Sequence, residues 1–581
     1  MKKLFSLLCV AVMLLSVVPA YAADDADYAD KVIIGDIYTG SEYVEAVAIE
    51  GDIIAYAGDE AGVQAYIGDD TEVTTLEEGQ LVTPGFADGH THVAAVMTAM
   101  DDKFCDLSVS ENKSLDEYVD ILTQYVAENP DDDVYTGKGW INSAFDNGCP
   151  TADILDAICA DKPMMISSAD GHSYWVNTAM MELAGVTKDT PQPKGGTIEL
   201  DENGEPNGCF RDTAMYIVKK ALPVTSVEKY EEGILSAQAF YASEGYTSYL
   251  EAVCNESADP IQMPLAEAYE ELDQAGELIM DVKGAVVINN DDDAMEILDA
   301  AIALKEQTAG GSFEVTNIKI FMDGVIEGAT AYMSESYAHK EDYYGVGRWT
   351  DEEDLDLLTE IVVKANNAGL TVHFHAIGDQ AVANAVTCVE RAYAEAGQTV
   401  LDARNAITHL QIVQSEDMQK MADLNMIAIV NPWCFKAPGF YEETEVLYLG
   451  EERASSEYPV KSFLDNGVTM SFGTDFGGST VYKSLVSYHT LVTRTDDEDN
   501  PETTLGPDEC LSREEALTAM TQTTAYQMMR EDEAGTLDVG MEASLVILSQ
   551  NILTVPDNEI ENTEILCTMA NGQWIYEAAE E

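Results

Sequence analysis

The sequence predicts an α/β protein: a (β/α)8 TIM barrel with a large insertion after the first strand, plus a small β-sandwich formed by both chain ends. Apolar, strand-like runs alternate with amphipathic helical stretches through the middle of the chain, and eight such runs can be counted. This alternation is typical of βαβ units and a parallel sheet. The predicted barrel strands are 81–87, 247–252, 281–287, 317–322, 370–375, 404–409, 426–431 and 468–474.

The two ends of the chain predict a second, smaller unit. Short strands with tight turns follow one another before the first barrel strand, as in Val44–Ile49 and the turn that follows it. The last stretch of the chain has the same character. We therefore expect 23–80 and 535–581 to form a composite β-sandwich beside a barrel that spans 81–534.

The interval between the first two predicted barrel strands, residues 88–246, is far longer than a normal βα connection. Structureless loops of that length are rare in compact domains. We interpret 88–246 as an inserted cap over the mouth of the barrel. Active-site groups are expected at the carboxyl ends of the strands, where the βα loops meet.

The first residues predict a secretory signal peptide over 1–22. Lys2 and Lys3 precede an apolar run, and the small-residue pattern Ala20-Tyr21-Ala22 follows it. The run is shorter than the roughly 20 residues of a membrane-spanning helix, so an uncleaved anchor is the weaker alternative. We expect cleavage near Ala22 and a secreted or extracytoplasmic protein with no membrane partner.

Composition limits the partners of the protein. The 581 residues include 107 acidic and 29 basic side chains, a formal net charge of −78. This charge opposes binding to nucleic acid or to anionic membranes. We expect a small-molecule substrate, and a homo-oligomer is compatible with the sequence. No Cys-x-x-Cys pair occurs, so a thiolate zinc site is not expected.

Side chains at the ends of four predicted strands form a candidate metal site. Among only eight histidines, four occupy such ends, and one aspartate joins them: His90, His92, His375, His409 and Asp475. A lone histidine is more often structural, but joint placement on strands one, five, six and eight favours a shared cavity. Imidazoles with a carboxylate suit a divalent ion, with zinc as the first choice.

This ordered set of residues resembles the amidohydrolase superfamily, and within it the branch of N-substituted formamide deformylase-like hydrolases (amidohydrolase family 3). His-x-His alone is weakly specific, whereas the ordered set is strongly specific. The motifs that carry the resemblance span nearly all of the chain after the signal peptide: Thr83–His92, Gly137–Trp140, Asp170–Asn177, Lys319–Gly324, His375–Asp379 and Gly473–Asp475.

The resemblance implies further site residues. Lys319 is expected in the metal site as a carbamate formed with carbon dioxide, whose oxygens bridge two ions, because an unmodified ammonium has no lone pair. The alternative is a buried lysine paired with Asp323 or another carboxylate, so one metal ion and two both remain open. His172 and Trp140, on the insertion, are candidate substrate-binding residues, against a structural His172 and a core Trp140. His373 is interpreted as a packing residue that points away from His375.

The ligand set predicts a hydrolytic mechanism. A bound divalent ion lowers the pKa of its water to about 7 and polarises a carbonyl. Asp475 is expected to take the proton of that water and pass it to the leaving nitrogen. We expect an exported hydrolase of N-formyl or N-acyl amide-type bonds. The alternatives are hydrolysis of esters, lactones or cyclic amides at the same site, and an extracellular binding protein without catalysis.

Overall fold

A computed structural model describes residues 28–579 except 101–102, 110–113, 146–147, 149, 256–261, 291–292, 438, 480 and 497–500, so the predicted signal peptide lies outside the described residues. In the described ranges the strands are β1 (Lys31–Tyr38), β2 (Tyr43–Glu50), β3 (Ile53–Gly58), β4 (Glu72–Thr75), β5 (Leu81–Pro84), β6 (Phe86–Thr91), β7 (Cys105–Asp106), β8 (Tyr135–Trp140), β9 (Met164–Ser168), β10 (Ser173–Val176), β11 (Gly196–Leu200), β12 (Pro206–Asp212), β13 (Tyr246–Glu251), β14 (Asp281–Val287), β15 (Phe313–Phe321), β16 (Thr371–Ala376), β17 (Ala406–His409), β18 (Ile427–Val430), β19 (Thr469–Phe472), β20 (Leu545–Leu548), β21 (Ile565–Ala570) and β22 (Gln573–Glu577).

The α-helices in the same ranges are α1 (Glu60–Val63), α2 (Val93–Met100), α3 (Leu115–Glu128), α4 (Ala152–Ile158), α5 (Thr178–Leu183), α6 (Met215–Lys219), α7 (Val227–Ser243), α8 (Pro264–Ala275), α9 (Ala294–Thr308), α10 (Glu352–Asn367), α11 (Asp379–Ala396), α12 (Gln398–Asp402), α13 (Ser415–Asp423), α14 (Val446–Leu449), α15 (Glu451–Ala454), α16 (Val460–Asp465), α17 (Ser484–Thr493), α18 (Arg513–Met520) and α19 (Gln522–Gln527). Within the part of the chain that the structure describes, none of the helices combines the length and the apolar character needed to cross a membrane.

Eight parallel strands form the predicted barrel, in the order β6-β13-β14-β15-β16-β17-β18-β19. Every residue of β6, β13, β16, β17 and β18 is buried, as expected for a parallel sheet covered by helices. The first and last strands lie side by side, where the backbone N–H of Asp475 donates to the carbonyl of His90 over 2.8 Å. The barrel is therefore nearly closed, and all its carboxyl ends open at one mouth.

The first predicted strand, 81–87, divides at Gly85. β5 pairs with β20 in the sheet of the chain ends, and only β6 belongs to the barrel. A Cβ atom at Gly85 would lie 2.3 Å from Cγ2 of Thr247, so the close approach where the chain changes sheets requires glycine. The sheet of the chain ends, in the order β22-β21-β20-β5-β1-β2-β3 with β4 beside β1, therefore extends to Pro84 rather than ending at residue 80.

The insertion contains a sheet of its own, in the order β11-β12-β10-β9-β8-β7. The helices that flank it, α2 and α7, pack against each other, so the additional unit runs from β7 to α6. Large aromatic side chains fill its separate core: Tyr118, Trp140, Phe145 and Trp175. The unit contributes residues of β10 and β12, and of the loop before β10, to the wall of a cavity at the barrel mouth.

Candidate active site

The predicted metal ligands meet at the carboxyl-end mouth of the barrel. One ligand atom each from His90, His409 and Asp475 lies within 4.8 Å of the other two. Nε2 of His92 is 3.4 Å from Oδ1 of Asp475, and the ring centroid of His375 is 4.4 Å from that of His409. All of them except His92 are buried. Ligand atoms of His90, His409 and Asp475 thus surround one point, and His92 and His375 lie beside this group.

Two of these residues, one at the end of a strand and one shortly after a strand, have an unusual backbone conformation. His409 is the last residue of β17, with φ 78°, and Asp475 lies just after β19, with φ 52°. Residues other than glycine seldom adopt this left-handed region, and such strain concentrates at functional sites. The surrounding structure, rather than local backbone preference, therefore keeps the turns after β17 and β19 in this conformation.

The protonation states suit a divalent ion. Burial lowers the pKa of His90 and of His375 well below the ordinary value, and lowers the pKa of His409 to about 4. Burial acts to raise the pKa of Asp475, but hydrogen bonds from His90 and His92 outweigh it and hold that pKa well below its usual range. Neutral imidazoles and an ionised carboxylate are the ligand forms that a divalent ion requires.

Lys319 lies beside the same cluster. Its Nζ is 3.2 Å from Nε2 of His90, and burial lowers its pKa to about 7. A large fraction of the amine is therefore neutral at neutral pH, which is the form that reacts with carbon dioxide. The alternative partner, Asp323, instead accepts hydrogen bonds from the backbone N–H groups of Ile377 at 3.1 Å and Gly378 at 2.8 Å.

His373 lies inside the barrel beside the site, so its interpretation as a packing residue pointing away from His375 is wrong. Residues two apart on a strand point to the same side. Nε2 of His373 is 2.8 Å from Nδ1 of His90, and Nδ1 of His409 is 2.9 Å from Oδ1 of Asn431. These contacts occupy Nδ1 of two predicted ligands and leave Nε2 as the nitrogen available to an ion.

The two predicted substrate-binding residues differ in their surroundings. His172 lines the cavity with its ring centroid 5.7 Å from that of His375. Burial lowers the pKa of His172, but the hydrogen bond from its Nδ1 to Asp212, 2.9 Å long, contributes to a net increase. Trp140 is fully buried, and its indole N–H donates to the carbonyl of Ile166 over 2.9 Å. Trp140 can therefore offer the cavity only apolar surface.

The cavity above the predicted metal ligands has a volume of about 1750 Å³, which is ample for a small molecule. Its lining includes two ionisable side chains that the sequence analysis missed, Arg348 and Glu445. Glu445 and Glu457 both accept from the side-chain amide of Gln411, and burial raises the pKa of Glu445 to about 8. Arg348 and Glu445 lie outside every motif, so only the folded chain identifies them.

The comparisons with known proteins agree with this geometry. Residues 78–576 match the model of a family described as the amidohydrolase family. YtcJ of Bacillus subtilis (strain 168), which carries the name of an amidohydrolase, is 27% identical over 548 residues, covering 94% of this chain and 98% of YtcJ. The N-substituted formamide deformylase of Arthrobacter pascens is 26% identical over 550 residues, covering 92% of this chain and 95% of the relative.

Solved structures share the fold over most of its length. An uncharacterized metal-dependent hydrolase from Pyrococcus furiosus has a TM-score of 0.65 and 26% identity, covering 90% of this chain and 100% of that one. A counterpart from Pyrococcus horikoshii OT3 has a TM-score of 0.68 and 24% identity, covering 91% and 99%. The chain belongs to the amidohydrolase family and is a metal-dependent hydrolase.

Proposed function

We propose that the protein is exported and cleaves an amide-type carbon–nitrogen bond in small N-formyl or N-acyl compounds. The observation that carries the proposal is the set of ligand atoms from His90, His409 and Asp475 within 4.8 Å of one another, at a cavity wide enough for such a substrate. The deformylase among the relatives supports an amide-type bond, and the N-terminal pattern supports export.

Zinc is the proposed metal, because imidazole and carboxylate ligands are typical of zinc sites. The four strand-end histidines and Asp475 would hold it, and a carbamate on Lys319 would allow a second ion. The bound metal supplies a nucleophilic water at neutral pH and polarises the substrate carbonyl.

The side chains around the metal move the protons. Asp475, held ionised, accepts a proton from the attacking water and delivers it to the leaving nitrogen as the carbon–nitrogen bond breaks. His172, oriented by Asp212, donates a hydrogen bond to the oxygen of the substrate carbonyl as negative charge develops there. The products are a carboxylic acid, formic acid for a formyl substrate, and an amine.

Asp475→Asn tests this assignment. The variant keeps the size of the side chain and one ligand oxygen but cannot take up the proton, so kcat for any hydrolysed amide falls by at least about 10²-fold. Metal content, measured by elemental analysis, remains close to that of the wild type. Asp356→Asn, at an exposed position of α10, is the matched control. Unchanged turnover in Asp475→Asn would remove Asp475 from the proton transfer.

A panel of N-formyl, N-acetyl and cyclic amides with matched esters and lactones tests the bond type. The proposal expects turnover of formyl or acetyl amides by the zinc-loaded protein. Turnover confined to esters or lactones would contradict it. Failure to retain any divalent ion after purification with metal supplied would favour a binding protein without catalysis.

A further inference from the structure

Arg348 is a buried cation in the wall of the catalytic cavity, and the protein satisfies only part of its side chain. It lies in the loop between β15 and α10 and is 5% exposed. Its Nη2 is 3.4 Å from Oδ1 of Asp212, whereas Nε and Nη1 have no hydrogen-bond partner among the described residues. A guanidinium carries five N–H donors, and burying donors unpaired is costly. Acceptors from outside the chain are therefore expected at this position.

The neighbours of Arg348 place it beside the predicted metal ligands rather than among them. Its Cζ is 4.9 Å from the ring centroid of Phe321. The ring of Phe321 is in turn 5.1 Å from the ring of His375. A group bound by Arg348 would thus lie beside the predicted metal ligands. A substrate whose scissile carbonyl is at those ligands could place a substituent there.

Asp212 does not fully compensate the guanidinium, because it is shared. Its Oδ1 also accepts from Nδ1 of His172 over 2.9 Å, so one carboxylate serves two basic side chains. Asp212 itself lies at the end of β12 with φ 49° and is buried. Arg348 and His172 therefore lie side by side at one carboxylate, with the unpaired donors of Arg348 left for a ligand.

We propose that Arg348 binds a carboxylate of the substrate, so that the enzyme hydrolyses N-acyl amino acids or similar amides that carry a carboxylate. The inference rests on the proposed function, because it places the amide carbonyl of the same substrate molecule at the predicted metal ligands. A guanidinium matches a carboxylate in both charge and donor geometry. Arg348 is thereby a specificity-determining residue.

Two substrates that differ only in this group test the proposal. N-formylalanine has a carboxylate where N-formylalaninamide has a carboxamide, and both are assayed with metal-loaded enzyme alongside their acetyl analogues. The wild type is expected to favour the carboxylate in kcat/KM by at least about 30-fold, as for a buried hydrogen-bonded charge pair. Arg348→Met should lower kcat/KM for the carboxylate to the level of the carboxamide, and Arg348→Lys should retain part of the preference.

The control is Arg391→Met, which removes an arginine that pairs with Glu352 and Asp356 on the helical surface. It should keep the wild-type preference. Because the preference is a ratio within one variant, a partial loss of folded protein does not alter it. Equal use of the two substrates by the wild type, or a preference that survives Arg348→Met, would overturn the assignment of Arg348.

The failure of the proposed function is distinguishable from the failure of this inference. If metal-loaded enzyme hydrolyses none of these amides, the hydrolase proposal fails for this substrate class. Calorimetric titration with N-formylalanine and its amide then tests the carboxylate site directly. Tighter binding of the carboxylate that Arg348→Met abolishes supports the site, and equal binding of both compounds overturns it.

Discussion

His373 orients a predicted metal ligand from inside the barrel. Its ring centroid is 4.8 Å from that of His90 and its side chain is fully buried. Partners of this kind fix the tautomer of a ligand and are worth about 10–100-fold in metal affinity. We predict that His373→Phe weakens the binding of a divalent ion by about that factor, measured by competition with a chelator. His373→Gln, which keeps a polar group, should lose less.

The control for this prediction is His339→Phe, which alters a histidine that stacks on Tyr448 with centroids 4.3 Å apart. It should leave the metal affinity unchanged. If His373→Phe also has no effect, other contacts orient His90, such as those of its Nε2 with Lys319 and Asp475, each 3.2 Å long.

At the scale of single residues, the sequence identifies the side chains that lie at strand ends. The predicted metal ligands each follow an apolar run, so their convergence could be predicted from the barrel alone. His373 was recoverable too, because alternate residues of a strand share a side. Arg348 could not be predicted: it lies in an irregular loop, and its setting arises only when the fold brings Phe321 and Asp212 to it.

One buried side chain, that of Asp88, makes several of the hydrogen bonds where the first and last barrel strands meet. Among the described residues, β6 and β19 share no ladder. Oδ2 of Asp88 accepts from the hydroxyls of Thr474 at 2.6 Å and Tyr241 at 2.8 Å, and its Oδ1 accepts from the backbone N–H of Thr474 at 3.0 Å. Asp88→Ala leaves these buried donors unpaired, so we predict a loss of about 2–4 kcal/mol in the free energy of unfolding.

Chemical denaturation of the metal-free protein measures this loss, because metal binding would otherwise add to stability. Asp88→Asn, which keeps the size and one acceptor oxygen, should lose less than Asp88→Ala. A cost under about 1 kcal/mol for Asp88→Ala, no more than one ordinary hydrogen bond, would indicate that packing alone closes the barrel.

Among the elements, burial on both faces made the barrel strands predictable. The predicted runs 281–287 and 370–375 agree with β14 and β16 to within one residue, and nearly every residue of both strands is buried. The strands of the insertion carry weaker signals, since β8 reads Tyr-Thr-Gly-Lys-Gly-Trp and alternates in burial. The division at Gly85 escaped prediction because it depends on pairing with distant strands, β20 for β5 and β13 for β6.

At the scale of the whole molecule, the net charge opposes folding. Even if each of the 29 basic residues paired with one carboxylate, 107 − 29 = 78 acidic residues would remain uncompensated. Folding brings these charges closer together than in the unfolded chain, so their mutual repulsion destabilises the compact state. Ions in the solvent screen this repulsion over a Debye length of about 10 Å at 0.1 M and about 3 Å at 1 M.

We therefore predict that the Tm of the metal-loaded protein rises when sodium chloride is increased from about 0.05 M to about 1 M, with most of the rise in the lower half of that range where the Debye length shortens most. Thermal scans followed by circular dichroism measure it. Sucrose at equal osmolality is the control, because it strengthens burial without screening charge. A rise in Tm with salt that sucrose of equal osmolality does not reproduce assigns the effect to charge. A Tm that stays constant or falls with salt would show that repulsion among the acidic residues does not limit stability.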